Sequence, residues 1–159
     1  MKIILTGGGT MGSVMPLLAV AEKLKFVRPA TEFLFLGTST GPEKPVVEKA
    51  GLTFRVIPAG KLRRYFSLKN LLTPFWVLGG LLQSLFIIRK FRPDAIVSAG
   101  GFVSVPVIWA GWLLRVPSMT HQSDVRPGLA NLLMSRFVKK ITVTFEESLK
   151  NFPKNKTIL

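Results

Sequence analysis

Short, uninterrupted apolar runs alternate along the chain with segments whose apolar residues recur every three or four positions. Lys2–Thr6 runs into Gly7-Gly8-Gly9 and reads as a buried strand entering a tight turn. Val14–Phe26 has helical spacing, with Leu17, Leu18, Val20, Ala21 and Leu24 apolar and Glu22, Lys23 and Lys25 outside. Pro16 suits a first helical turn. Further strands are expected at Phe33–Leu36, Phe54–Ile57, Ala95–Ser98, Pro117–His121 and Ile141–Phe145, and a last one begins within Lys156–Leu159. Helices are expected at Glu43–Ala50, closed by Gly51, and at Leu68–Phe91, with Pro74 and Gly79-Gly80 as points where it could break. Ser104–Leu114, Gly128–Phe137 and a single turn at Glu146–Asn151 complete the helices.

Continuous apolar strands alternating with helices are the signature of a parallel sheet covered on both faces. The fold class predicted is α/β: one doubly wound, Rossmann-like domain. Such sheets bind ligands at the carboxyl ends of their strands. The glycine-rich and polar segments fall there, after the first, fourth and fifth strands.

Composition narrows the chemistry. The chain has 159 residues, 48% of them hydrophobic, which is enough for a real core and too apolar for a disordered basic tail. It has no Cys and one His, which excludes disulfides and thiol catalysis and argues against a metal site; no cofactor is expected either. The net charge is +14, and half of that excess lies in residues 61–92, which carry seven basic residues and no acid. This is also the most apolar stretch. Its apolar residues form one block with cations at both ends. That pattern suits an anionic membrane surface better than nucleic acid, where aromatics interleave with the cations. A solvated face on a core helix is the plainer alternative. Leu71–Ile88 is an 18-residue uncharged run, but it holds Pro74, Gly79-Gly80, Gln83 and Ser84. A helix packed on the core with part of its surface in the lipid interface is expected, rather than a span. Lys2 is followed by only three apolar residues before Thr6 and the glycines, which does not read as a signal peptide.

Three constellations carry the candidate chemistry. The first is Gly7-Gly8-Gly9-Thr10-Met11-Gly12-Ser13, where glycines between strand and helix let backbone N–H groups approach an anion. A dinucleotide site would also need an acid at the end of the second strand, and Gly37-Thr38-Ser39-Thr40 offers none. A turn that needs positive φ is the competing reading. The second is Ser98-Ala99-Gly100-Gly101-Phe102-Val103-Ser104, with Ser104 as a possible N-cap. Two such loops could face one diphosphate from two sides. The third is His121-Gln122-Ser123-Asp124, followed by Gly128-Leu129-Ala130-Asn131. Asp124 there is either a general base or the cap of a turn, and the lone His121 is either a ligand or a structural hydrogen-bonding residue.

GGGTMGSVMP, AGGFVSVP and HQSDVRPGLAN, in this order and spacing, resemble the N-terminal domain of glycosyltransferase family 28 in its MurG-like branch. The resemblance covers essentially the whole chain. It implies a GT-B enzyme of two Rossmann-like halves. This half, residues 1–159, would bind a polyprenyl-diphosphate-linked acceptor and meet the membrane. A C-terminal half outside these residues would hold most of the UDP-GlcNAc. The implied reaction is inverting transfer of GlcNAc onto lipid I, giving lipid II for peptidoglycan, at the cytoplasmic face of the membrane. The chain alone is expected to be inactive.

The family's first loop reads GGTGGH. Gly8, Gly9, Thr10 and Gly12 match it, whereas Met11 and Ser13 replace a glycine and the histidine. The third motif reads HEQN. His121 matches, and Gln122, Ser123 and Asp124 replace the rest, so the negative charge moves by two positions. The resemblance makes Asp124 and Ser13 the catalytic candidates. Gly9, Thr10, Met11, Gly12, Gly100, Gly101, Ser104, His121, Asp124 and Asn131 become the substrate-binding candidates. It makes Leu72, Phe75, Trp76 and Leu82, ringed by Arg63, Arg64, Arg89 and Lys90, the candidates for membrane docking. No nucleic-acid partner is implied. The rival reading is a non-catalytic membrane-anchoring subunit that recruits a separate donor-binding chain.

Overall fold

The computed structural model describes residues 1–59 and 73–159. Seven parallel strands form one sheet: β1 (Lys2–Thr6), β2 (Glu32–Gly37), β3 (Thr53–Val56), β4 (Ala95–Ser98), β5 (Ser118–Gln122), β6 (Lys140–Val143) and β7 (Thr157–Ile158). Their spatial order is β3-β2-β1-β4-β5-β6-β7. The order reverses between β1 and β4, which pair from Ile3↔Ala95 to Thr6↔Ser98. That is the switch point, where the loops leaving two adjacent strands diverge and open a crevice.

Side-chain alternation along the strands builds two cores. Ile3, Leu5, Phe33, Phe35 and Val97 point to one face. There they bury Leu17 and Ala21 of α1 (Met15–Val27) and Val47 of α2 (Glu43–Lys49). Ile4, Leu34, Leu36 and Ile96 point to the other. They pack on α3 (Thr73–Phe91), α4 (Ser104–Leu113) and α5 (Leu129–Ser135) through Ile87, Ile88, Ile108 and Met134. Each such fully buried side chain contributes about 1.5–3 kcal/mol of transfer free energy.

The strand and helix assignments hold, with boundaries moved by a residue or two. β5 runs one residue later than the sequence pattern suggests, because Gln122 still pairs with Val143 of β6. The expected Leu68–Phe91 helix is described from Thr73, and residues 68–72 lie outside the described part. It does not break. Pro74 sits in the first turn, where no intrahelical N–H is needed. Gly80 lies against the Pro58 carbonyl, leaving no room for a Cβ, and so marks a close approach within an unbroken helix. Among the described residues, no helix is long and apolar enough to cross a membrane.

Candidate functional site

The first glycine loop leaves β1 and re-enters helix through one 3-10 turn at Met11–Ser13. Gly9 needs its φ of +83°, which a side chain would strain. Three of the loop's N–H groups are already used: Gly7 donates to the Leu36 carbonyl at 3.4 Å, Gly8 to Ser13 Oγ at 3.0 Å, and Gly9 to Glu43 Oε2 at 3.3 Å. The Ser13 hydroxyl, 7% exposed, turns inward and donates to the Thr10 or the Gly8 carbonyl, at 3.0 and 3.3 Å. Ser13 therefore clasps its own loop. Thr10 and Gly12 are exposed and Met11 is half-buried.

The second loop leaves β4 with Gly100 at φ +94° and Gly101 at φ +87°. The N-cap of α4 is Val103, not Ser104 as the sequence suggested. Ser104 is instead the first helical residue and fully buried, and its hydroxyl donates to the Gly100 carbonyl at 2.8 Å. A Cβ on Gly101 would stand 2.5 Å from the Gly8 carbonyl oxygen. The two glycine loops therefore touch, backbone to backbone, at the switch point.

The third segment leaves β5. Thr120 and Gln122 point to the α5 side and meet the buried Asn131. The Asn131 carboxamide accepts from Thr120 Oγ1 at 3.0 Å and donates to Gln122 Oε1 at 2.6 Å and the His121 carbonyl at 3.2 Å. Gln122 Nε2 in turn holds the Asp124 and Arg126 carbonyls at 3.0 and 3.3 Å. This network fixes the loop's path and engages the Asn131 carboxamide within the protein. Asn131 also lies against Gly100, where an added Cβ would come within 3.4 Å of its carboxamide. His121 points toward β6: Nδ1 lies 2.9 Å from Thr142 Oγ1 and Nε2 3.3 Å from Thr144 Oγ1. Burial pushes its pKa below the usual imidazole value, so the ring is held neutral. Asp124 is exposed, and its backbone carbonyl is anchored while its carboxylate is in no ion pair among the described residues.

The carboxylate nearest the first loop was not singled out from sequence. Glu43, the first residue of α2, is fully buried and accepts from the Thr38 N–H at 2.7 Å and from the Thr38 hydroxyl, besides Gly9. Gly8 and Gly41 make room for it, since a Cβ at either position would overlap its carboxylate. The glycines on both sides were the available signal. Among the described residues no group of three or more metal-ligating side chains gathers.

On the outer face of α3, Phe75, Trp76 and Leu82 are 71%, 57% and 61% exposed, and Arg89 and Lys90 are exposed at its end. Leu78 and Phe86 are also exposed and were missed. The spacing 75–78–82–86 puts four of these residues on one stripe. Trp112 and Leu113 are exposed at the end of α4, the helix that packs against α3. Leu72, Arg63 and Arg64 lie outside the described residues.

An all-parallel, doubly wound sheet with two touching glycine loops at its switch point defines a Rossmann-like half-fold, the one expected for one domain of a GT-B glycosyltransferase. Residues 3–143 match the model described as the glycosyltransferase family 28 N-terminal domain, and the chain belongs to that family. It is 49% identical over 157 residues to UDP-N-acetylglucosamine--N-acetylmuramyl-(pentapeptide) pyrophosphoryl-undecaprenol N-acetylglucosamine transferase 2 of Bacillus cereus (strain ATCC 10987 / NRS 248). It is 46% identical over 158 residues to the Clostridium kluyveri transferase of the same name. Each match takes in 99% of this chain and 44% of the relative, so the chain spans less than half the relatives' length. Among solved structures, Acinetobacter baumannii MurG superposes with a TM-score of 0.84 at 25% identity, over 99% of this chain and 44% of that one. Neisseria meningitidis UDP-GlcNAc 2-epimerase, at a TM-score of 0.73 and 14% identity over all of this chain and 45% of that one, shares the fold.

Proposed function

We propose that this chain is the acceptor-binding, membrane-docking half of an inverting glycosyltransferase. The complete enzyme moves GlcNAc from UDP-GlcNAc to a polyprenyl-diphosphate-linked sugar, lipid I being the acceptor the relatives' names point to. The observation that carries this reading is the contact of Gly8 with Gly101, which joins two glycine loops at the end of the sheet where ligands bind. The acceptor's diphosphate, with the sugar it carries, lies along this paired edge. Its sugar hydroxyl attacks the anomeric carbon of GlcNAc, the bond from that carbon to the UDP oxygen breaks, and UDP leaves with the electron pair. Asp124, exposed at the end of β5, takes the hydroxyl proton. His121, held neutral, adds no charge there. The α3 stripe with Arg89 and Lys90 lies on the cytoplasmic face of the membrane, apolar side chains in the interface and cations toward anionic headgroups.

The test is transfer on liposomes by this chain combined with a C-terminal half. Little or no turnover is expected from the 159 residues alone. In the combined enzyme, Asp124→Ala is expected to lower kcat by about 100-fold or more, the usual scale of general-base loss. Undiminished turnover in that variant removes Asp124 from the mechanism. A second reading, a non-catalytic anchoring subunit, is favoured by Ser13, whose hydroxyl is occupied inside its loop. That reading requires the combined enzyme to tolerate changes at Asp124 while losing activity when the α3 stripe is made polar.

A further inference from the structure

The Glu43 carboxylate is buried without a cation among the described residues. Taking a carboxylate out of water costs several kcal/mol unless hydrogen bonds replace the lost hydration. Here all its partners are donors: the N–H and hydroxyl of Thr38 in the β2–α2 loop and the N–H of Gly9 in the β1–α1 loop. The Thr38 hydroxyl accepts in turn from the Gly41 N–H at 2.9 Å. A carboxylate side chain offers an acceptor on each of its two oxygens, whereas an amide offers one. A glutamine of the same shape would face the Gly9 N–H with an NH₂ or turn that NH₂ toward Thr38, donor against donor in either case. A hydrophobic residue would leave both loops unpaired. Closing the two loops onto each other therefore calls for an acidic side chain beside the first glycine loop.

That requirement has a consequence for ligands. The two glycine loops look alike in sequence, but they differ in charge. The Gly9 N–H is already taken by an anion. The N–H groups that open the second loop meet no carboxylate: Gly100 donates to the neutral Ser98 hydroxyl at 3.1 Å, and the loop's other side-chain partner is Ser104. We infer that Glu43 is a specificity-determining residue that keeps phosphate off the first glycine loop, so that the diphosphate seats on the second loop and the first receives the uncharged, sugar-bearing part of the acceptor. The inference rests on the diphosphate reading of the site given above, and it divides the acceptor between two loops that the sequence treats as equivalent.

The experiment is an amide-resolved NMR titration of the 159-residue chain with inorganic pyrophosphate. In the wild type, amides of Gly101–Ser104 shift with pyrophosphate, and those of Gly9–Gly12 do not. In Glu43→Gln the Gly9–Gly12 amides respond as well. Apparent affinity at the first loop rises on the order of tenfold, the scale of removing one nearby like charge at intermediate dielectric. Equal response of both loops in the wild type overturns the inference, as does a Glu43→Gln variant whose first loop stays silent. Thr38→Val guards against a variant that fails to fold. It removes one donor and leaves the charge, so the Gly9 resonance moves while the first loop stays closed to pyrophosphate. If Thr38→Val alone admits pyrophosphate, looseness rather than charge is the agent and the inference falls. Pyrophosphate that perturbs neither loop in any variant overturns the diphosphate reading itself, a result distinct from binding at the wrong loop.

Discussion

Replacing Gly101 with alanine tests the loop contact on which the site rests. Gly101 holds φ +87°, and its new Cβ would lie 2.5 Å from the Gly8 carbonyl oxygen and 3.0 Å from the Gly8 nitrogen. Both atoms are backbone and cannot rotate away. The substitution thus carries two costs. Positive φ for a side-chain-bearing residue costs about 1 kcal/mol. Overpacking against a fixed backbone adds about 1–3 kcal/mol. Gly51 supplies the control, because it ends α2 at φ +68° with nothing within 4 Å of an added Cβ. Gly51→Ala should lose only the conformational part, about 1 kcal/mol, and Gly101→Ala about 2–4 kcal/mol. Urea unfolding of both variants at neutral pH measures the difference, which with m near 1–3 kcal/mol/M is a clear shift in midpoint. Equal destabilisation of the two variants would refute the claim that the loops touch at Gly8 and Gly101.

Three further outcomes follow from the same coordinates. His121 has its pKa depressed in the folded chain by burial, so the unfolded chain binds the extra proton first; its contribution is intact above about pH 6.5 and is lost as pH falls below that value. Unfolding of wild type and His121→Asn at pH 7.5 and pH 5.5 should show a steeper acid loss in the wild type. Asn131→Ala strands the Thr120 hydroxyl and the Gln122 amide oxygen in the interior and should cost about 2–4 kcal/mol by denaturation, whereas exposed Leu132→Ala should cost under about 1 kcal/mol. Leu82→Asp with Phe86→Asp should leave the melting temperature nearly unchanged but weaken binding to anionic vesicles by about 10–100-fold in a sedimentation assay; unchanged binding would remove α3 from the docking face.

The strands were legible because each is a short apolar run bounded by glycine or a polar turn, as at Phe33–Leu36 before Gly37 and Ala95–Ser98 before Gly100. The glycine loops were legible for the same reason, since nothing but positive φ or a close approach explains glycine at positions 9, 100 and 101. What pattern could not supply is where a polar group spends its bonds. Ser13, Ser104 and Asn131 look like ligand donors in sequence, yet each closes its bonds inside the fold, with Ser13 and Ser104 bonding backbone a few residues away. Glu43 shows the opposite failure. It sits at the start of an ordinary-looking helix, and its partner Gly9 is 34 residues away. The α3 stripe was half legible: Phe75, Trp76 and Leu82 stood out by size, whereas Leu78 and Phe86 needed the helical phase to be known.

Charge, the most conspicuous property of the chain, now divides along the strand axis. Cations gather where strands begin: Lys2 and Lys140 open β1 and β6, and Arg28, Arg92, Arg115 and Lys139 lie just ahead of β2, β4, β5 and β6. Arg92 and Arg115 even hold φ values of 53° and 58° at helix ends where α2 uses Gly51. The acids at that edge are engaged, Glu32 with the Lys2 ammonium at 3.4 Å and Asp94 with the Lys2 N–H at 2.7 Å. Carboxylates instead follow the strands: Glu43 after β2, Asp124 after β5, Glu146 and Glu147 after β6. Among the described residues, the ligand end of the sheet is therefore not where the basic excess lies. In the proposed reading, a diphosphate held there relies on backbone N–H groups that glycine exposes, and on Glu43 for which loop it meets. The docking face proposed above draws instead on the cationic edge and the exposed ends of α3 and α4.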